Sequence, residues 1–282
     1  MSLLLALLMM FSARPRGVVV TPVANMYAAP TEESAVVSQA IYGTNVALEE
    51  EKQGWARIRT ADDYTGWMPL ASLRALVFGE TAYASAGRVA QVESLFANLY
   101  REPDVTKHQP LLTVPFETRL EVASEQSGEG SRWLEVRLPD GRSAWLQRGD
   151  ITFDAKPLSI AQAIALSQRF LGLPYLWGGT SSFGYDCSGF VQMLVRRRGV
   201  IMPRDADLQA NWTGASPVKR KKLQPADLLF FGESAGKVTH TGMYIGRGKF
   251  VHATTHEHPV IQISKLSDQP WRKLLVACRR VK

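Results

Sequence analysis

The chain has 282 residues, 45% of them hydrophobic and 21% charged, with no low-complexity tract, so it is globular and long enough for about two domains. Its formal net charge of +7 favours anionic partners. Two cysteines, Cys187 and Cys278, exclude a disulfide framework, and no segment reaches the ~20 apolar residues of a membrane span, so no stable membrane insertion is expected.

Residues 1–16 read as a leader. Leu3 to Phe11 is an apolar run of h-region length, and the small residues Ser12 and Ala13 follow it. The first basic residue, Arg14, comes after the run instead of before it, so periplasm or cell exterior and cytoplasm both stay open. Residues 17–78 and 79–153 then echo one another. Trp55 and Trp133 are 78 residues apart, as are Trp67 and Trp145, and Tyr27 near Pro30 is matched by Tyr100 near Pro103. Polar and apolar residues alternate around each first tryptophan, and turn signals stand at Asp62-Asp63 and Pro139-Asp140-Gly141. The pattern predicts two related small antiparallel barrels with the tryptophans in their cores.

Periodicity changes near residue 157. Ser159-Ile160-Ala161-Gln162 has the form of a capping box, opening a helix that Gly172 and Pro174 close. A second helix begins near Cys187, with Phe190, Val191, Leu194 and Val195 on one face, Arg196 to Arg198 in its last turn, and Gly199 ending it. Strand-like runs follow at 227–231, 238–245, 250–253, 260–263 and 274–281. Helices before strands predict an α+β domain over 154–282.

Chemistry concentrates in this last domain. A thiol at a helix N-terminus meets the positive end of the helix dipole, and both dipole and free N–H groups favour the thiolate. Cys187 fits that description, whereas Cys278, in an apolar run, reads as a small buried hydrophobe. Four of the five histidines come after Cys187. His240 shares a strand face with Gly242 and Tyr244, and His252 on the next strand can accept its ring N–H, which makes Cys187, His240 and His252 a nucleophile, a base and an orienter. The rival for the histidines is a zinc site at His252, His256 and His258, which lacks a supporting Cys or carboxylate spacing.

Six ordered motifs carry a resemblance. Tyr175-Leu176-Trp177-Gly178-Gly179, Asp186-Cys187-Ser188-Gly189-Phe190, Pro203-Arg204-Asp205-Ala206-Asp207-Leu208-Gln209, Asp227-Leu228-Leu229-Phe230-Phe231, His240-Thr241-Gly242-Met243-Tyr244-Ile245-Gly246 and Val251-His252-Ala253 stand in the order and approximate spacing of the NlpC/P60 cell-wall cysteine peptidases. Ala226 departs from the pattern, where a glycine is usual. The front half resembles paired bacterial SH3-like domains, and the whole resembles the subgroup that cleaves small murein peptides between γ-D-glutamate and the diamino acid. The resemblance implies a papain-like α+β fold behind two all-β SH3-like barrels. It implies Cys187 as nucleophile, His240 as base and His252 as orienter, with no metal or cofactor. Tyr175 would help position the substrate or oxyanion, while Asp186, Ser188 and Asp205 would hold a free N-terminal amine. Tyr64 of the first barrel would wall the pocket, its counterpart in the second being Arg142. Glu32 and Glu33 are further candidates for the amine.

The expected partner is a murein peptide, met by a monomer. The +7 charge admits an anionic wall polymer, and a secreted hydrolase of intact peptidoglycan with targeting barrels is the alternative function. A non-catalytic wall-binding protein is the rival from another class. Nucleic acid is not expected, because no aromatics interleave with the basic runs.

Overall fold

The computed structural model describes residues 16–125 and 132–282, so the leader reading on Leu3 to Phe11 lies outside the described residues. Among the described residues no helix is long and apolar enough to cross a membrane.

The first barrel contains β1 (Arg16–Val19), β2 (Val23–Tyr27), β3 (Val36–Ile41), β4 (Asn45–Lys52), β5 (Trp55–Arg59), β6 (Thr65–Pro69) and β7 (Leu73–Leu76), in the order β3-β2-β6-β5-β4-β1-β7. The second contains β8 (Val89–Val92), β9 (Phe96–Leu99), β10 (Leu112–Pro115), β11 (Arg119–Glu125), β12 (Trp133–Arg137), β13 (Ser143–Gln147) and β14 (Ile151–Thr152). The repeat is geometric as well as textual. Tyr27 meets Trp55 edge-on at 5.4 Å and 89°, and Tyr100 meets Trp133 at 5.6 Å and 88°. Tyr27 also pairs with Trp67, as Tyr100 does with Trp145.

One expectation about these barrels is corrected. Only Trp133 of the four tryptophans is buried; Trp55, Trp67 and Trp145 are half-buried. Alternation along the strand sends the neighbouring residues inward instead, so the cores are Ala56, Ile58 and Met68 in one copy and Leu134, Val136, Ala144 and Leu146 in the other. The indoles of Trp55, Trp67 and Trp145 cover the outer faces, where large amphipathic rings shield backbone while staying partly wet.

The last domain opens on α1 (Ile160–Arg169), whose capping box forms as expected: the Gln162 N–H donates to Ser159 Oγ at 3.3 Å, and the Ser159 N–H donates to Gln162 Oε1 at 2.9 Å. After the short strands β15 (Thr180–Ser181) and β16 (Gly184–Tyr185) comes α2 (Cys187–Arg197), then α3 (Ala206–Asn211). A six-stranded sheet follows, made of β17 (Ala215–Pro217), β18 (Leu228–Ser234), β19 (Lys237–Gly246), β20 (Lys249–Thr254), β21 (Val260–Lys265) and β22 (Leu275–Val281), with the short α4 (Trp271–Leu274) before β22. Its order is β17-β22-β18-β19-β20-β21, each neighbouring pair antiparallel. Helix α2 packs on one face through Phe190, Val191 and Leu194 against Leu228, Phe230, Met243 and Val251. On the other face Trp271 of α4 joins Leu229, Phe231, Phe250 and Cys278.

Helix α2 is buried on nearly every side, not on the single face its sequence marks out. The barrels supply the cover. Gln192, polar yet 4% exposed, donates to Asp62 of the first barrel at 2.8 Å and to the Met202 carbonyl at 2.9 Å. Arg197 pairs with Glu93 and Arg196 with Glu117, both from the second barrel. Phe116 of that barrel enters the peptidase core against Phe170, and Tyr42 of the first barrel packs into the core of the second. The three units therefore share side chains. Between them lies a cavity of about 570 Å³, lined among others by Tyr42, Asp62, Arg119 and Arg197, which includes none of Cys187, His240 or His252.

Candidate active site

Asp186 caps α2. Its Oδ1 accepts the Gly189 N–H at 2.7 Å and its Oδ2 the Gly178 N–H at 3.0 Å, which fixes the loop before the helix to its first turn. That loop lies so close that a Cβ on Gly189 would stand 2.2 Å from the Gly179 carbonyl oxygen. Glycine is therefore required for the approach. Arg204, itself 2% exposed, grips the same carboxylate with both terminal nitrogens, at 3.0 and 2.6 Å. It also donates to Ser188 Oγ at 2.8 Å and to Ser38 Oγ of the first barrel at 3.2 Å.

Asp186 has five donors on its two oxygens, the fifth being the Ser188 hydroxyl at 3.2 Å. These contacts hold the helix start, and they set Arg204 against the carboxylate that the resemblance assigns to a substrate amine. Sequence reasoning gave Arg204 no role; its place beside Asp205 in a motif was the available signal.

Cys187 occupies the first position of α2 and is 8% exposed. The backbone N–H groups of Ser188 and of Thr241, the residue that follows His240, act on the thiol and lower its pKa. The expected bias toward thiolate is present but outweighed by burial. Burial, with the Asp186 charge behind it, pushes the thiol up to about 12. His240 is partly buried, and desolvation pulls its imidazole down to about 4. Taken singly, each group is therefore neutral near pH 7.

His240 Nε2 and His252 Nδ1 are 2.7 Å apart, so the His240 nitrogen left for the thiol is Nδ1. His252 is fully buried. Burial, and then the neighbouring His240, hold it well below the usual histidine range. Both imidazoles lie under Trp271, with ring centres 5.1 Å from His240 and 4.7 Å from His252. Gly242 sits between them in the register, and a Cβ there would meet Phe250 at 2.8 Å and the His252 Cβ at 3.1 Å. The bare backbone is needed for the rings to sit as they do. His256 stacks edge-on to Trp271 at 5.4 Å.

Asp205 stands just before α3, acted on by Arg204 and Asp186. Tyr64 reaches it from the first barrel, its hydroxyl 3.3 and 3.1 Å from the two carboxylate oxygens. Desolvation raises Asp205 above the ordinary carboxylate range, although Arg204 and the Tyr64 hydrogen bond work against it. Tyr64 is pushed up to about 12, first by burial and then by Asp205, so its phenol stays a donor. Tyr175 is half-buried, its N–H bonded to the Pro259 carbonyl at 2.7 Å. Burial and the nearby Cys187 raise its phenol, which also remains a donor. Glu32 and Glu33 lie exposed in the β2–β3 turn, and among the described residues neither carboxylate bonds to the peptidase domain. Arg142, at the Tyr64 offset in the second copy, pairs with Asp140.

A cysteine beside a histidine pair, on a helix packed against an antiparallel sheet, defines a papain-like cysteine peptidase domain, here behind two SH3-like barrels. Family comparison gives the same division: residues 172–280 match the NlpC/P60 family, residues 26–73 the bacterial dipeptidyl-peptidase Sh3 domain, and residues 92–153 the YKFC SH3b2 domain. The chain is 34% identical over 245 residues to a gamma-D-glutamyl-L-lysine dipeptidyl-peptidase of Bacillus cereus, covering 82% of this chain and 71% of that protein. It is 28% identical to the protein of the same name from Bacillus subtilis, covering 88% and 82%. A crystal structure of an NlpC/P60 family protein from Bacillus cereus superposes with a TM-score of 0.81 at 27% identity, covering 94% of this chain and 99% of that one. The chain belongs to the NlpC/P60 family and is a cysteine peptidase.

Proposed function

We propose that this peptidase hydrolyses peptidoglycan-derived peptides at the bond between γ-D-glutamate and the diamino acid, on substrates that begin with a free L-alanine. The observation that carries this reading is the Tyr64–Asp205 contact. A barrel residue and a half-desolvated carboxylate close one end of the site, where a free ammonium would find a charged acceptor and an acylated stem would not. The names of the Bacillus relatives support the same bond.

In the proposed mechanism the γ-glutamyl carbonyl is placed against Cys187, and His240 Nδ1 takes the thiol proton as the sulfur attacks. The N–H groups at the start of α2, with the Tyr175 phenol, stabilise the oxyanion. His240 returns the proton to the departing amine, leaving a thioester, and then activates the water that hydrolyses it. Asp186 and Arg204 hold the helix start, and His252 orients His240.

The test is digestion of L-Ala-γ-D-Glu-diamino acid peptide, its N-acylated form and intact sacculi, with products identified by mass. Cleavage of the free peptide alone is expected, and it should vanish in Cys187→Ala. Equal rates on free and acylated peptides would overturn the free-amine requirement, and release from sacculi would favour wall hydrolysis.

A further inference from the structure

We infer that Ser264 is a positioning residue for the catalytic pair, accepting the Nε2–H of His252 and so making available the tautomer in which His240 offers its lone pair to the thiol. The inference rests on His240 being the base. A base facing Cys187 through Nδ1 must carry its own proton on Nε2. That proton is donated across the 2.7 Å contact to His252 Nδ1, so His252 must accept there and carry its proton on Nε2. The His252 Nε2 lies 3.0 Å from Ser264 Oγ. Ser264 is the acceptor that ends the chain.

The alternative arrangement runs backwards. His252 would donate from Nδ1 to His240 Nε2, and His240 would carry its proton on Nδ1, where it cannot take one from the thiol. Packing does not choose between the two, because Phe250 and Trp271 hold the plane of the His252 ring, at 4.5 and 4.7 Å, and not its proton. The titratable groups that act on His252 are His240, which meets its Nδ1, and His256, and among the described residues Ser264 is the hydrogen-bond partner at Nε2. With the hydroxyl present, either tautomer is satisfied. Without it, the productive tautomer leaves a donor unpaired in a fully buried residue, whereas the inverted one leaves only a bare acceptor there. The β20–β21 register makes the reach available: Gln262 stands directly opposite His252, with its amide turned to the His256 carbonyl, and Ser264 is the next residue on that face.

Ser264→Ala and Ser264→Thr test this. Histidine ¹⁵N spectra of the free enzyme report the tautomer without any substrate, so this readout stands apart from the question of which peptide is cleaved. Wild type and Ser264→Thr should show His252 protonated on Nε2, and Ser264→Ala should show the Nδ1–H form. On a cleaved peptide, Ser264→Ala should lose about tenfold in kcat with KM unchanged, and Ser264→Thr should restore it. An unchanged His252 tautomer in Ser264→Ala, or an unchanged kcat, would overturn the inference. Failure of the wild type to cleave any γ-glutamyl peptide would sink the function and leave the spectroscopic result standing.

Discussion

Arg204 shows how a buried charge is kept. It is 2% exposed and its carboxylate partner Asp186 is 7% exposed, and removing one partner would strand the other in a dry site. Arg204→Met should therefore cost about 3–5 kcal/mol in urea unfolding. Lysine should restore little, because it cannot make the two-pronged contact. The paired histidines set a second expectation. The unfolded chain protonates its histidines near 6.5, while His240 and His252 resist until well below that. Stability is thus full above 6.5 and falls as pH drops toward about 4, by up to about 1.4 kcal/mol per pH unit for each histidine. Thermal melts between pH 7 and 5 should show the loss, and His252→Gln should flatten it. The acid limb of kcat/KM should likewise lie well below 6.5. Cys187 and the histidines were legible as residues; their neutral resting state was not, because it depends on how deeply the fold buries them.

At the scale of elements, what was legible was whatever is local. The capping box of α1, the start of α2 at Cys187 and the five strand runs of the peptidase sheet all rest on spacing and turn residues within a few positions. The departure at Ala226 is local too. It adopts φ 70°, a left-handed conformation that suits the glycine usual at this position. Ala226→Gly should relieve that strain and raise stability by about 1 kcal/mol, read from the denaturation midpoint, with activity unchanged. An unchanged or lower midpoint would show that the turn carries no such strain. What was not legible is which side of an element is covered. Three of the four barrel tryptophans are only half-buried, on the outer faces, and α2 is wrapped all round because the two barrels fold back over it.

At the scale of the molecule, the first barrel is part of the site. Ser38 bonds Arg204, Gln39 is joined twice to Thr180, Asp62 accepts from Gln192, and Tyr64 reaches Asp205. Tyr64→Phe keeps the ring and removes the hydroxyl. It should raise KM for a free-ended peptide about tenfold with kcat little changed, since the lost bond is to the residue proposed to hold the amine and not to Cys187. Equal kinetics for the two would remove Tyr64 from substrate binding. By itself the sequence determined the two-copy front half, the α+β domain behind it, and the cysteine and histidines that share it, because repeats, periodicity and ordered motifs are written along the chain. Only the tertiary structure decided that Asp186 answers to Arg204, that Asp205 meets Tyr64, and that Ser264 closes the histidine chain. Those depend on contacts between residues far apart in sequence, and burial sets the charge each group can carry.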